Sequence, residues 1–199
     1  MKIKQIFFTV LFIAFSLSTF SQNHQEVIKK EFSEYISLLE KFEFEKSLDY
    51  VMPEFFEIAS KEMILKEIEA AFNDPEIELK FGAIEILSVN EPKNIDGKMY
   101  SVIKYNQNIL LKMNSAEEVG TEEEKQEMLD FMLVAFQAQF GKENVTYNKE
   151  TGFFQIFAEK TGVAATKSDI IDWKFITKEE GQDLFLKKIL PTEILNDMN

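Results

Sequence analysis

The chain has 199 residues, no cysteine, 22 basic residues that are all lysine, and 35 carboxylates, which give it a formal net charge of −13. The lack of cysteine excludes disulfides and a lipid-modified N-terminal cysteine. The negative charge and the lack of arginine argue against nucleic acid as a partner, because cationic and often bidentate side chains bind phosphates.

The first 21 residues are predicted to be a signal peptide. Lys2 and Lys4 supply a positive start, residues 6–15 form an apolar run, and small or polar residues lead to a cleavage point before Gln22. The apolar run is shorter than the roughly 20 residues that a spanning helix needs. We therefore expect an exported protein, periplasmic or secreted, with no membrane attachment after cleavage. Its net charge is then −15, because 20 lysines remain against 35 carboxylates.

Residues 22–199 are predicted to form a single domain, since no repeat, low-complexity tract or linker divides them. Its first part is helical. Apolar residues recur every three or four positions from about residue 24 to residue 42, again over 44–52, and in a third segment over 61–72 that Ser60 caps.

The pattern then changes to that of β-strands. Residues 77–90 alternate between apolar and polar, with a change of phase at Gly82-Ala83 that predicts a β-bulge. Asp96-Gly97 predicts a tight hairpin turn. Residues 98–113 then alternate along their whole length, which predicts a sheet with one covered face.

A helix over residues 121–140 follows, and its apolar residues are too widely spread for one stripe, which predicts that it is covered on two sides. Strands are then predicted at 144–147, 153–160 and 170–176, before a last helix that Thr177 and Glu180 cap and that ends at Pro191. The fold class is α+β: N-terminal helices packed on a strongly curved, mostly antiparallel sheet, with an inserted helix and a C-terminal helix.

Segments 35–42 and 48–56, with the long strands around 84–89 and 100–111, resemble the layout of the nuclear transport factor two-like (cystatin-like cone) superfamily. The resemblance covers residues 24–112 and 153–177 and implies helices packed on a bent sheet, with a pocket open at one end. Members include ketosteroid isomerase, scytalone dehydratase, polyketide cyclases and many non-catalytic binding modules, so the fold says little about function. The inserted helix and the last helix depart from this layout.

The sequence lacks the residues that several catalytic mechanisms require. His24 is the only histidine, and its position two residues past the expected cleavage point predicts a mobile tail. Nucleophilic triads and histidine-based zinc sites are therefore not expected. No glycine-rich phosphate loop is present either. We expect no cofactor and no metal.

Two polar residues, Ser101 and Gln107, interrupt the apolar face of the strand 98–113. We predict that Gln107 lines a pocket with Tyr105, and that Trp173 forms an aromatic wall with Ile171 and Phe175. The plainer interpretation is that Trp173 belongs to the core, and that Gln107 bonds the neighbouring backbone or sits at a bulge that turns it outward.

Two functional hypotheses follow. We favour an exported, non-catalytic binding domain with an apolar pocket for a small molecule or a protein partner, and a homodimer is left open. The alternative is a lyase or isomerase that uses a pocket Asp or Glu as general base and Tyr105 as a hydrogen-bond donor. A carboxylate inside the pocket near Tyr105 discriminates between them, and Glu85 and Asp172 are the candidates on strands.

Overall fold

The computed structural model describes residues 24–114, 120–167, 172–179 and 181–198. The predicted signal peptide, residues 1–21, lies outside these ranges.

The N-terminal helices form where the apolar spacing predicts them. Helix α1 covers residues 24–40, and its inward stripe includes Ile28, Phe32 and Ile36, all buried. The chain turns after α1, and Phe42, predicted to lie on the same stripe, instead has a φ of 60° and is exposed. Helix α2 (Phe44–Ser47), 3₁₀ turns at Leu48–Tyr50 and Pro53–Glu57, and helix α3 (Lys61–Phe72) follow.

The sheet begins with a long antiparallel pair. Strand β1 (Ile77–Val89) pairs with β3 (Lys98–Met113), and a shift in their register between Phe81 and Ile84 confirms the predicted bulge. The short strand β2 (Lys93–Ile95) forms a hairpin with β3. Asp96 and Gly97 have φ values of 51° and 79°, as a two-residue hairpin turn with left-handed residues requires.

Helix α4 (Glu122–Phe140) separates β3 from the second half of the sheet. Strand β5 (Phe153–Lys167) runs beside β3, and its far edge is shared by β4 (Val145–Asn148) and β6 (Lys174–Thr177). The chain ends in α5 (Asp183–Ile189) and α6 (Thr192–Asp197). The described part of the chain thus confirms the α+β class: six α-helices and an open six-stranded antiparallel sheet.

Both faces of the sheet are covered at one end, where the alternation had predicted one covered face. Ile103 and Tyr105 of β3 pack against α1. Tyr100 and Val102, which point to the opposite face, are buried by Leu186 and other residues of α5 and α6. The alternation underestimated burial because α6, which follows Pro191, was not predicted.

Three other expectations are corrected. Helix α4 covers the α1 side of the sheet with one face only, through Leu129 and Phe136, while Phe131 on its other face is exposed. The strand predicted over 170–176 begins at Lys174, and residues 168–171 lie outside the described ranges. The helix predicted to follow Thr177 corresponds to α5, which begins only at Asp183.

Candidate functional site

Tyr105 lies in the core between the sheet and α1. It is 1% exposed, and its ring packs edge-on against that of Phe32 at 4.9 Å between centroids. Burial raises the pKa of its hydroxyl well above the ordinary value, and the Glu179 carboxylate adds to the rise. The hydroxyl is therefore a neutral donor at any physiological pH.

Gln107 is buried on the same face of β3 as Tyr105. The pairing of β3 with β5 runs without a register shift from Lys98 to Leu111, so no bulge in β3 turns the side chain outward. The bulge lies in β1, just before Ile84, which is the partner of Gln107. The second polar interruption, Ser101, is satisfied, since its hydroxyl donates to the Asn90 carbonyl at 2.6 Å.

Trp173 lies just before β6 and is also 1% exposed. Its backbone N–H donates to Glu31 Oε2 at 3.3 Å, while its indole Nε1 is buried without a hydrogen-bond partner. The ring of His24 contacts the indole edge-on at 6.0 Å between centroids. The prediction that His24 belongs to a mobile tail is therefore wrong: it starts the described part of α1 and packs on Trp173.

An apolar cavity of about 150 Å³ lies between α1, α3 and the outer edge of β6. Leu39 and Tyr35 of α1 form one wall, Ile64 and Ile68 of α3 another, and Phe175 the floor. This position arises because Met52 N–H donates to the Phe175 carbonyl at 3.1 Å, which ties the segment before α3 to the sheet. The cavity is thus bordered by the helices and the edge of the sheet.

A small cluster of polar residues borders this cavity. Thr177, which lines it, donates its hydroxyl to Glu179 at 3.3 Å, and Glu179 accepts 2.8 Å hydrogen bonds from Lys160. Lys160 is the register partner of Tyr105. Burial, with the Glu179 charge as a smaller cause, raises the pKa of Tyr35 to about 12. These groups give one edge of an otherwise apolar cavity some hydrogen-bonding capacity.

No family model, curated protein or solved structure matches this chain. Its function is therefore inferred from the arrangement of its own residues.

The residues predicted to form a ligand site do not border the cavities described here. Tyr105, Gln107 and Trp173 are all buried, and Tyr105 and Trp173 pack in the core beside α1. The sequence did predict that Ile64 and Ile68 face inward. It gave no sign that they border a void, because apolar spacing is the same for a filled and an unfilled interior. The role of Tyr105, Gln107 and Trp173 in binding stays a prediction.

A second cavity, of about 260 Å³, lies beside β5 and the turn that starts at Pro53. Met52 and Ala165 give it apolar walls, but its rim is charged. Lys98 is bonded to Glu54, and Lys174 Nζ lies 2.8 Å from Asp172. Most of its charges are thus paired within the protein, which leaves less for a ligand.

The two carboxylates proposed as general bases do not lie in a dry pocket. Glu85 is exposed on the face of β1 that points away from α1, and Asp172 is exposed and paired with Lys174. Within the described ranges, no cluster of three or more acidic or histidine side chains could hold a metal ion. None of the helices in those ranges is long and apolar enough to cross a membrane.

Proposed function

We propose that this chain is a non-catalytic binding domain that holds a small apolar molecule in the cavity beneath α3. The observation that carries the proposal is the cavity itself: about 150 Å³ lined mainly by Leu, Ile, Val, Phe and Tyr side chains. The cavity is open to solvent on one side and carries Ser47, Thr177 and Gln182 on its rim. Its volume matches that of apolar cavities known to take up a molecule as large as benzene. The ligand class is therefore an unsubstituted or lightly substituted aromatic or cyclic hydrocarbon group.

Helix α3 is suited to admit such a ligand. None of its residues is fully buried, and its aromatic contacts with α2 and β1 pass through Phe72, near its C-terminal end. Elements with few buried contacts open at low free-energy cost. Ligand sites usually span about 300–1,000 Å³, so a larger ligand requires α3 to move outward.

The hypothesis of a lyase or isomerase is less well supported. That chemistry needs a desolvated carboxylate beside a hydrogen-bond donor, and Glu85 and Asp172, the two candidates, are exposed. Glu179 belongs to the polar cluster beside the cavity, but its carboxylate is paired with Lys160. A binding role needs only the apolar walls.

The test is calorimetry and thermal denaturation with a series of benzene, toluene, indole and cyclohexane. We expect at least one member to bind and to raise the melting temperature of the wild type. Ile68→Phe, which fills the cavity, abolishes that rise, whereas Met63→Phe on the exposed side of α3 leaves it intact. The proposal fails if no member binds, or if Ile68→Phe binds as well as the wild type.

We also propose that the protein is exported and that it belongs to the nuclear transport factor two-like superfamily. The charged start, the apolar run and the small residues before Gln22 support export. The helices α1 to α3, followed by a long antiparallel pair, support membership of the nuclear transport factor two-like superfamily, while α4, α5 and α6 depart from its layout. Mass spectrometry of the protein from its host should find a chain that starts at or near Gln22. An intact Met1 terminus on membrane-bound material contradicts export.

A further inference from the structure

The cavity of about 260 Å³ beside β5 and the turn at Pro53 has an excess of lysine over carboxylate. Lys98, Lys167 and Lys174 line it, against the two carboxylates of Glu54 and Asp172. In the whole chain the balance is reversed, with 22 lysines against 35 carboxylates. The lining of this cavity therefore has a local charge opposite in sign to that of the protein.

The register of the sheet sets the three lysines side by side. Lys98 of β3 is the direct partner of Lys167 at the end of β5. Lys174 of β6 is paired with Ala165, which lies two residues before Lys167 and therefore points to the same face. Like charges directly opposite each other in an antiparallel pair are destabilising. The fold thus keeps a cluster of positive charge that costs stability, as proteins do at functional sites.

Two of the three lysines are neutralised by the protein itself. Lys98 is bonded to Glu54, and Lys174 Nζ lies 2.8 Å from Asp172. Lys167 is exposed and has no ion pair within the described ranges. The cluster therefore keeps one positive charge for which the described residues supply no partner.

The rest of the lining is apolar. Met52 and Pro53 form the wall on the side of the segment before α3, and Ala165 lies on the side of the sheet. The hydrocarbon stems of the lysines add further apolar surface. The wall is held to the sheet because Met52 N–H donates to the Phe175 carbonyl at 3.1 Å. The cavity thus combines apolar walls with an unpaired positive charge at its rim.

We propose that this cavity binds a monocarboxylate with a short aliphatic chain, its carboxylate at Lys167 and its chain against Met52 and Pro53. The single negative charge matches the single unpaired lysine, and the chain has no arginine to clamp a phosphate. A volume of about 260 Å³ is just below the roughly 300–1,000 Å³ of most ligand sites, so the aliphatic chain is short. The site shares no lining residue with the cavity under α3 and does not depend on the function proposed for that cavity.

Calorimetric titration of the full chain with sodium hexanoate tests the proposal. We expect hexanoate to bind, and acetate, which lacks the aliphatic chain, to bind roughly tenfold or more weakly. The alcohol 1-hexanol, which lacks the charge, should also bind more weakly than hexanoate. Equal binding of 1-hexanol contradicts a role for the lysines, and equal binding of acetate contradicts a role for the apolar walls. Tighter binding of inorganic phosphate than of hexanoate also overturns the proposal.

Lys167→Gln separates binding from stability. It should weaken the binding of hexanoate at least several-fold, because the unpaired charge is lost. Without ligand its melting temperature should stay unchanged or rise, because a like charge opposite Lys98 is removed. Lys149→Gln is the matched control, since Lys149 is exposed in the turn at the other end of β5; it should bind hexanoate like the wild type. If Lys167→Gln also binds like the wild type, the proposal is wrong.

Two further variants show which cavity holds the hexanoate. Ile68→Phe, which fills the cavity under α3, should leave its binding intact, whereas Ala165→Leu, which fills the cavity beside β5, should abolish it. Circular dichroism checks that Ala165→Leu folds, and Lys167→Gln carries the test if it does not. If Ile68→Phe abolishes hexanoate binding, the ligand sits under α3, and this proposal fails while the function proposed above stands. A wild type that binds no hexanoate overturns the proposal as well.

Discussion

Glu31 and Glu40 are the two carboxylates in the described ranges whose charged form the fold disfavours, and Glu31 also has a backbone partner. It lies on α1, accepts the N–H of Trp173 and is partly buried. Burial raises the pKa of its carboxyl above 4.5, the hydrogen bond from Trp173 opposes the rise, and the charges of Asp172 and Glu34 add to it. The fold thus holds the proton of Glu31 more tightly than the unfolded chain does.

We expect Glu31→Gln to stabilise the protein at pH 7. Glutamine keeps an oxygen that can accept the Trp173 N–H but has no charge to desolvate. Because the folded pKa is raised, the wild type loses stability as the pH rises above 4.5, and the variant does not. Below that pH both states of the wild type are protonated, and the difference should vanish. Urea denaturation at pH 3.5, 5 and 7 measures it; a variant that is less stable at pH 7 contradicts the expectation.

Gln107 is an uncharged polar residue whose burial also affects the stability of the fold. Its side chain is 4% exposed on the face that carries Tyr105, and its amide is not among the fully buried groups that lack a partner, which in the described ranges are Asn108 Oδ1 and Trp173 Nε1. The amide therefore depends on the little solvent that reaches it. A buried amide without full hydrogen bonding costs about 1–3 kcal/mol.

We therefore expect Gln107→Leu to leave the free energy of unfolding unchanged or to increase it by about 1 kcal/mol. The adjacent change Asn106→Leu, on the opposite face of β3, serves as a control for strand propensity. Denaturant titration measures both. A loss of stability specific to Gln107→Leu means that the amide has partners in solution that it lacks here.

At the scale of elements, α3 is the least anchored of the longer helices. It has no fully buried residue, and its start depends on Ser60, whose hydroxyl accepts the Met63 N–H at 3.2 Å. Helix α4 has a comparable cap at Thr121, but Leu129 and Phe136 hold it to the sheet. The two helices should therefore respond differently to the loss of a cap.

We expect Ser60→Ala to lower hydrogen-exchange protection in α3 by about 1 kcal/mol of opening free energy. Protection of the sheet should stay unchanged, because α3 can open by itself. Thr121→Ala is the matched control and should affect α4 only. If Ser60→Ala lowers protection in α3, the sheet and α4 alike, α3 does not open on its own.

The whole molecule has two cores that share the same strands. One, with Phe32 and Ile103, lies between the sheet and α1, and the other, with Val102 and Leu186, lies between the sheet and the C-terminal helices. Ile103 and Val102 are neighbours in β3 that point to opposite faces. The two cores therefore share β3 as a common wall.

We therefore expect the chain to unfold in one cooperative transition, without sensitivity to a chelator or a reductant. Phe32→Ala and Leu186→Ala, one in each core, should each lower the free energy of unfolding by about 2–5 kcal/mol. Both should shift the same transition, seen alike by far-UV circular dichroism and by Trp173 fluorescence. Two separated transitions in either variant mean that the cores are independent.

Local order was well predicted from the sequence. The bounds of α3, the bulge after Phe81 and the turn at Asp96-Gly97 follow from a cap, a change of phase and left-handed residues, all of which act within a few residues. The same holds for the inward face of β3, including Gln107. Local signals of this kind survive because they do not depend on which element arrives as a neighbour.

Only the tertiary structure decided which faces are covered and where space remains. The apolar set of α4 predicted cover on two sides, and the described part of the chain covers one. Tyr105 and Trp173 are buried beside side chains of α1, while the cavity under α3 is bordered by Ile64 and Ile68. The spacing of apolar residues predicts that a side chain is shielded from water. Whether that side chain then contacts other side chains or borders an empty cavity depends on how elements distant in the chain pack.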